Sequence, residues 1–177
     1  MSVVSIRSLR HPVVKSFALA AALAGAVVAW PQASIARHHE GGAFARFAGD
    51  WRGAGQVVST GGGAETINCR ARGDVPEGGE SLSEALVCAS ASARFDIRIN
   101  AAAEGESVTG TWQETTRGVG GNLSGQIGNG SFEGSVQGPG FTASVSYRSN
   151  GRTQTIVINP NNAGGIARVE ATLRRGG

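Results

Sequence analysis

A two-residue alternation constrains this chain more than any other feature. From Phe47 to Val57 the odd positions (Phe47, Gly49, Trp51, Gly53, Gly55, Val57) are apolar or tiny, while Asp50, Arg52 and Gln56 occupy even ones. That is the pattern of a strand with one buried face, and it aims Trp51 inward. The same large-small-large phase returns as Val108, Gly110, Trp112; Leu123, Gly125, Ile127; Phe132, Gly134, Val136; and Phe141, Ala143, Val145, Tyr147. Many strands therefore share one interior.

Turn signals separate these runs at intervals of about ten residues: Gly61-Gly62-Gly63, Gly78-Gly79, Gly118 to Gly121, Asn129-Gly130, Gly138-Pro139-Gly140, Asn150-Gly151 and the loop from Asn159 to Gly165. Asn-Gly between alternating runs is a hairpin signal. The expected fold is all-β: an antiparallel up-and-down meander of about eight to ten strands, closed into a single barrel because closure removes both edges. A sandwich is the alternative. The barrel is favoured because the face opposite the apolar one, with Thr109, Thr111, Gln113, Ser124, Gln126, Glu133, Ser135, Ser144 and Arg148, is polar throughout. A transmembrane barrel needs the reverse, an apolar exterior.

Before the first strand, Arg7, Arg10 and Lys15 precede an apolar run from Phe17 to Trp30 and a small-residue site, Ser34-Ile35-Ala36. This order reads as a secretory signal peptide over residues 1–36, followed by a flexible lead-in (37–45) and one barrel domain (46–177). The expected location is periplasmic or secreted, with no transmembrane segment after cleavage. Three of the 16 Lys and Arg leave with the leader, so 13 arginines face 13 carboxylates. A neutral chain gives no support for a nucleic-acid partner. Cys69 and Cys88 form a disulfide by default in an exported chain. Their midpoint falls between Gly78 and Gly79, so a hairpin turning there sets them opposite each other. Closing a loop of about 20 residues stabilises the fold by roughly 3 kcal/mol.

Gly49-Asp50-Trp51 on the opening strand resembles the Gly-x-Trp signature of the calycin barrels, the lipocalin and avidin group. The resemblance implies that the Trp closes one end of the meander, and that an Arg of the last strand packs across it. Arg168 and Arg174 lie on that strand, but in the phase opposite to Val169, Ala171 and Leu173. The chain is also similar to small exported inhibitors of bacterial metalloproteases in its Trp-marked barrel and disulfide, although their inhibitory arm has no match in Arg37 to Ala45.

The interior positions Gly49, Gly53, Gly55, Gly110, Gly125, Gly134 and Ala143 carry almost no side-chain volume. Either the aromatics collapse over them into a packed core, or the glycines line a pocket walled by Trp51, Trp112, Phe132, Phe141 and Tyr147. Such walls suit a flat apolar or aromatic ligand. Catalysis has little to stand on: His38 and His39 both lie in the lead-in, so no nucleophile-His arrangement can be assembled on the barrel. Glu114, in the inward phase beyond Trp112, is a carboxylate whose pKa burial could raise, but a rim residue paired with Arg is the preferred reading. Arg37-His38-His39 would offer Cu(II) or Ni(II) a nitrogen set only if cleavage fell after Ala36, and a solvated tail is preferred; no metal or cofactor is expected. Asn122-Leu123-Ser124 and Asn129-Gly130-Ser131 match glycosylation acceptors but read as strand and turn chemistry. The sequence thus predicts an exported, non-enzymatic binding protein that holds a small apolar or aromatic ligand in a barrel cup. The alternatives are an envelope protein with a filled barrel that binds another protein, and a protease-inhibitor-like module.

Overall fold

The computed structural model describes residues 41–161 and 164–176. The expected signal peptide, the first residues of the lead-in and both lead-in histidines lie outside these residues. Ten strands follow a short 3-10 turn, Ala45–Phe47: β1 (Gly49–Ser59), β2 (Ala64–Asp74), β3 (Ser81–Ala89), β4 (Arg94–Glu104), β5 (Ser107–Glu114), β6 (Val119–Gly128), β7 (Ser131–Gly138), β8 (Phe141–Ser149), β9 (Thr153–Asn161) and β10 (Ile166–Arg175). Each pairs antiparallel with the next, and β10 pairs with β1, closing a single barrel. No helix among the described residues is long and apolar enough to cross a membrane.

Register follows the hydrophobic phase. Cys69 lies directly opposite Cys88, with their Cα atoms 4.1 Å apart, and the two are joined by a disulfide. At the β6–β7 turn Asn129 and Gly130 both have positive φ, 51° and 76°, the type I′ geometry that matches the twist of a hairpin. The second Asn-Gly works differently. Asn150 Oδ1 accepts hydrogen bonds from the backbone N–H groups of Arg152 and Thr153 at 2.9 and 2.8 Å, so the side chain organises the turn.

Because the strands alternate in direction, the starts of the odd-numbered strands and the ends of the even-numbered ones share one end of the barrel, here called the floor. Phe44, Phe47, Trp51, Ile127, Tyr147 and Leu173 are buried there. The end of the stretch read as a flexible lead-in is fastened to this floor. Phe44 N–H donates to the Gly79 carbonyl at 2.8 Å, and a Cβ on Gly42 would sit 2.0 Å from the Gly78 carbonyl oxygen. Only glycine lets the two segments cross so closely. Trp51 Nε1 donates to the Phe47 carbonyl at 3.0 Å, and the guanidinium of Arg175 lies 4.8 Å from the centre of the Trp51 ring. Arg175 also donates to the carbonyls of Gly151 and Ala48, at 2.7 and 2.8 Å. The cation of the last strand that packs across the Trp is therefore Arg175, in phase with Leu173, and neither Arg168 nor Arg174.

On the outside of the barrel, arginines form a local cluster. Arg174, Arg52 and Arg70 occupy directly opposed positions on β10, β1 and β2. All three are exposed, and like charges so placed repel.

Candidate functional site

The interior is open. A cavity of about 520 Å³ runs from the floor to the opposite end, walled by β3 to β10 and floored by Phe44 and Phe47. Its lower wall (Leu82, Leu86, Val108, Leu123, Phe132, Ile156) is buried. Higher up, Phe95, Ile97, Trp112, Val119, Phe141, Pro160 and Ile166 point inward yet are only half-buried, which marks the mouth. The volume falls within the roughly 300–1,000 Å³ typical of small-molecule sites.

The cavity does not arise in the way the glycine pattern suggested. None of the inward glycines of β1, β5, β6 or β7 lines it. Gly125 and Gly134 face each other across β6 and β7, and a Cβ on either would lie within 2.7 Å of the Phe132 ring. These glycines allow close strand approach and seat an aromatic side chain. The space is instead lined by branched aliphatic and aromatic side chains.

Of the five aromatics expected to wall the cup, Trp112, Phe132, Phe141 and Tyr147 do border the cavity, whereas Trp51 does not. No residue of β1 or β2 reaches it. Trp51 sits near the start of β1, beneath the floor and capped by Arg175, so its inward orientation closes the barrel without facing the space. Trp112 and Phe141 meet at the mouth with ring centres 5.7 Å apart, and Trp112 Nε1 donates to the Gln137 carbonyl at 3.1 Å.

Glu114 is the rim residue paired with arginine, and its pKa moves down. Burial alone would raise it. However, the carboxylate accepts hydrogen bonds from the Thr116 hydroxyl at 2.6 Å and from the backbone N–H groups of Asp96, Thr116 and Arg117 at 3.1, 3.1 and 2.8 Å. Together these hold its pKa at about 2. Arg117 lies 3.5 Å from the carboxylate and 4.8 Å from the centre of the Phe95 ring. Of the two readings of Glu114, the structure matches the rim residue paired with arginine, and its hydrogen bonds outweigh the effect of burial.

The perturbed acid is Glu84, on the lower wall, 3 % exposed. Its Oε1 accepts from the Tyr147 hydroxyl at 2.8 Å, and that hydroxyl lies 2.7 Å from Gln154 Oε1. Burial pushes the Glu84 pKa up to about 7 against the lowering effect of the Tyr147 bond. Burial and then the charge of Glu84 push the Tyr147 phenol well above its ordinary value. Phe47 packs edge-on against Tyr147, ring centres 4.9 Å apart. Neither Glu84 nor Gln154 was singled out from the sequence, yet both stand in the inward phase, as Leu82-x-Glu84-x-Leu86 and Gln154-x-Ile156-x-Ile158. Among the described residues no cluster of His, Cys, Asp and Glu is arranged to hold a metal.

The class this geometry defines is a closed ten-stranded antiparallel barrel around an apolar cup. Two solved structures share this fold. Rv2717c from M. tuberculosis superposes with a TM-score of 0.59 at 11 % identity, over 75 % of this chain and 94 % of that one. The S-type phycobiliprotein lyase CPES from Guillardia theta superposes with a TM-score of 0.54 at 12 % identity, over 76 % of this chain and 90 % of that one. No protein-family model matches the sequence, and none of the curated proteins does. The likeness is therefore one of fold, and the Gly-x-Trp motif receives no support from sequence. The comparison with the lyase also corrects the expectation that this chain is not an enzyme, which rested on the lack of a usable histidine. A barrel of the same fold is named as a lyase, so the architecture is no argument against catalysis.

Proposed function

We propose that this chain is an exported protein that holds a small apolar or aromatic molecule inside the barrel, with Trp112, Phe132, Phe141 and Tyr147 in contact with it. The observation that carries this reading is the open cavity of about 520 Å³ whose wall is almost wholly apolar. An apolar surface of that extent left to water is unfavourable by about 25 cal/mol for each Å² a ligand would cover, so occupancy stabilises both partners. The Cys69–Cys88 disulfide supports export, because such bonds persist in oxidising compartments. Residues 1–36 act as the signal peptide in this account, and residues 46–177 as the single barrel domain. Holding a molecule in this cup is compatible with acting on it.

Equilibrium binding of the hydrocarbon probe 1,6-diphenylhexatriene, read by its fluorescence, tests the proposal. The wild-type chain is expected to bind one probe saturably. Leu123→Trp, which fills the lower cavity, is expected to weaken binding at least tenfold while leaving the far-UV spectrum unchanged. Absence of saturable binding to the wild type would refute the cup.

A further inference from the structure

Below the mouth, where Glu114 and Arg117 lie, the wall of the cavity is apolar except at one place. There, Glu84 and Tyr147 border the cavity, with Gln154 behind them. The hydrogen bonds at this place do not close. Glu84 Oε2 and Gln154 Nε2 are buried without a partner among the protein's own groups, although buried polar atoms are nearly always paired. A phenol has one O–H, so Tyr147 cannot donate to both Glu84 Oε1 and Gln154 Oε1. If Glu84 is protonated, its O–H donates to Tyr147 Oη, which donates to Gln154. If Glu84 is ionised, Tyr147 donates to Glu84 and the Gln154 amide turns so that Nε2 donates to Tyr147 Oη. In both arrangements one carboxyl oxygen of Glu84 remains an acceptor without a donor.

Resting on the reading of the barrel as a ligand cup, we infer that this unpaired oxygen receives a hydrogen bond from the ligand, so that the occupant is an apolar molecule ending in a hydroxyl or amine and seated head-down on Glu84. Burial raises the pKa of Glu84, which keeps its neutral and ionised forms both accessible near neutrality; an alcohol suits the first and an ammonium the second. A carboxylate head has no donor to offer the ionised form. The charged groups at the mouth, Glu114 and Arg117, are engaged with each other at 3.5 Å, which leaves Glu84 as the place where the cavity distinguishes one head group from another. A donor at that position also removes the cost of a buried acceptor, which gives the contact a discriminating power of about tenfold or more.

Displacement of bound diphenylhexatriene by 1-decanol, decylamine and decanoate tests this. In the wild type both donors are expected to displace the probe, and Glu84→Leu is expected to raise the decanol and decylamine concentrations needed by about tenfold, with decanoate changed less than threefold and probe binding kept. Glu84→Gln, which keeps an acceptor oxygen but cannot ionise, is expected to raise the decylamine concentration needed by about tenfold and the decanol concentration less, and it decides the question should Glu84→Leu fail to fold. Equal decanol displacement in wild type and Glu84→Leu, or equal decylamine displacement in wild type and Glu84→Gln, would overturn the inference while leaving the cup intact. Failure of the probe to bind the wild type would instead remove the cup and the inference with it.

Discussion

Glu84→Gln replaces the buried carboxyl with a group of nearly the same shape that does not titrate, and so isolates what the proton on Glu84 does to stability. The folded barrel holds the Glu84 pKa at about 7, against an ordinary value of 4.5. Between those values the folded state keeps a proton that the unfolded chain has released, so stability falls as pH rises through this window and levels off above it. At about 1.4 kcal/mol per pH unit the full loss approaches roughly 3 kcal/mol, of which about 2–3 kcal/mol falls between pH 5 and pH 8. Urea unfolding of the ligand-free wild type and of Glu84→Gln at half-unit pH steps gives the difference directly, because every other titrating group cancels. The wild type is expected to lose that amount relative to the variant as pH rises. A difference that stays flat from pH 5 to pH 8 would show that Glu84 titrates as an exposed carboxyl, and the buried, unpaired oxygen would go with it.

Replacing both Cys69 and Cys88 by Ala is expected to lower unfolding stability by roughly 3 kcal/mol, the entropy of closing a loop with a separation of 19 residues; urea midpoints of the two proteins check this, and an unchanged midpoint contradicts it. Arg52→Thr breaks the run of opposed arginines on β10, β1 and β2, and is expected to raise Tm, more at low than at high ionic strength, where screening already relieves the repulsion. Trp51→Ala is expected to cost about 3–5 kcal/mol as a deletion from the buried floor, yet to leave probe affinity in the surviving folded fraction within about threefold, since the indole does not border the cavity.

Strand boundaries and register were legible because side-chain period and turn chemistry agree along the whole chain. Cys69 and Cys88 meet because their hairpin is symmetric about Gly78-Gly79, and Tyr147 faces inward for the same reason as Ala143 and Val145. Depth along the barrel was also present in the sequence, in the parity of the strands. In a meander an odd strand that starts at the floor ends at the mouth. Trp51, early in β1, belongs to the floor; Trp112, late in β5, belongs to the mouth. Treating the two tryptophans as one wall ignored this.

The glycines misled for a different reason. A missing side chain signals that something is close or that space is empty, and alternation does not distinguish the two. At Gly125 and Gly134 the neighbour is the Phe132 ring and the facing strand of the same hairpin, and alternation does not say which way a ring on that face will lean. Glu84 and Gln154 could have been found by asking which inward positions are polar. Attention went to Glu114 because it follows Trp112, although its pairing with the Thr116 hydroxyl and three backbone N–H groups depends on a turn whose geometry the sequence does not specify. Arg175 was missed because only Arg168 and Arg174 were weighed on the last strand.

An open interior is the claim on which the binding proposal and the Glu84 inference both depend. Crystals of the barrel domain pressurised with xenon address it directly, because the gas enters dry apolar cavities and is seen by its scattering. Xenon is expected between Val108, Leu123 and Phe132, with Trp112 and Phe141 remaining at the mouth. A barrel free of xenon, with those two rings folded down against Leu86 and Ile156, would contradict the account.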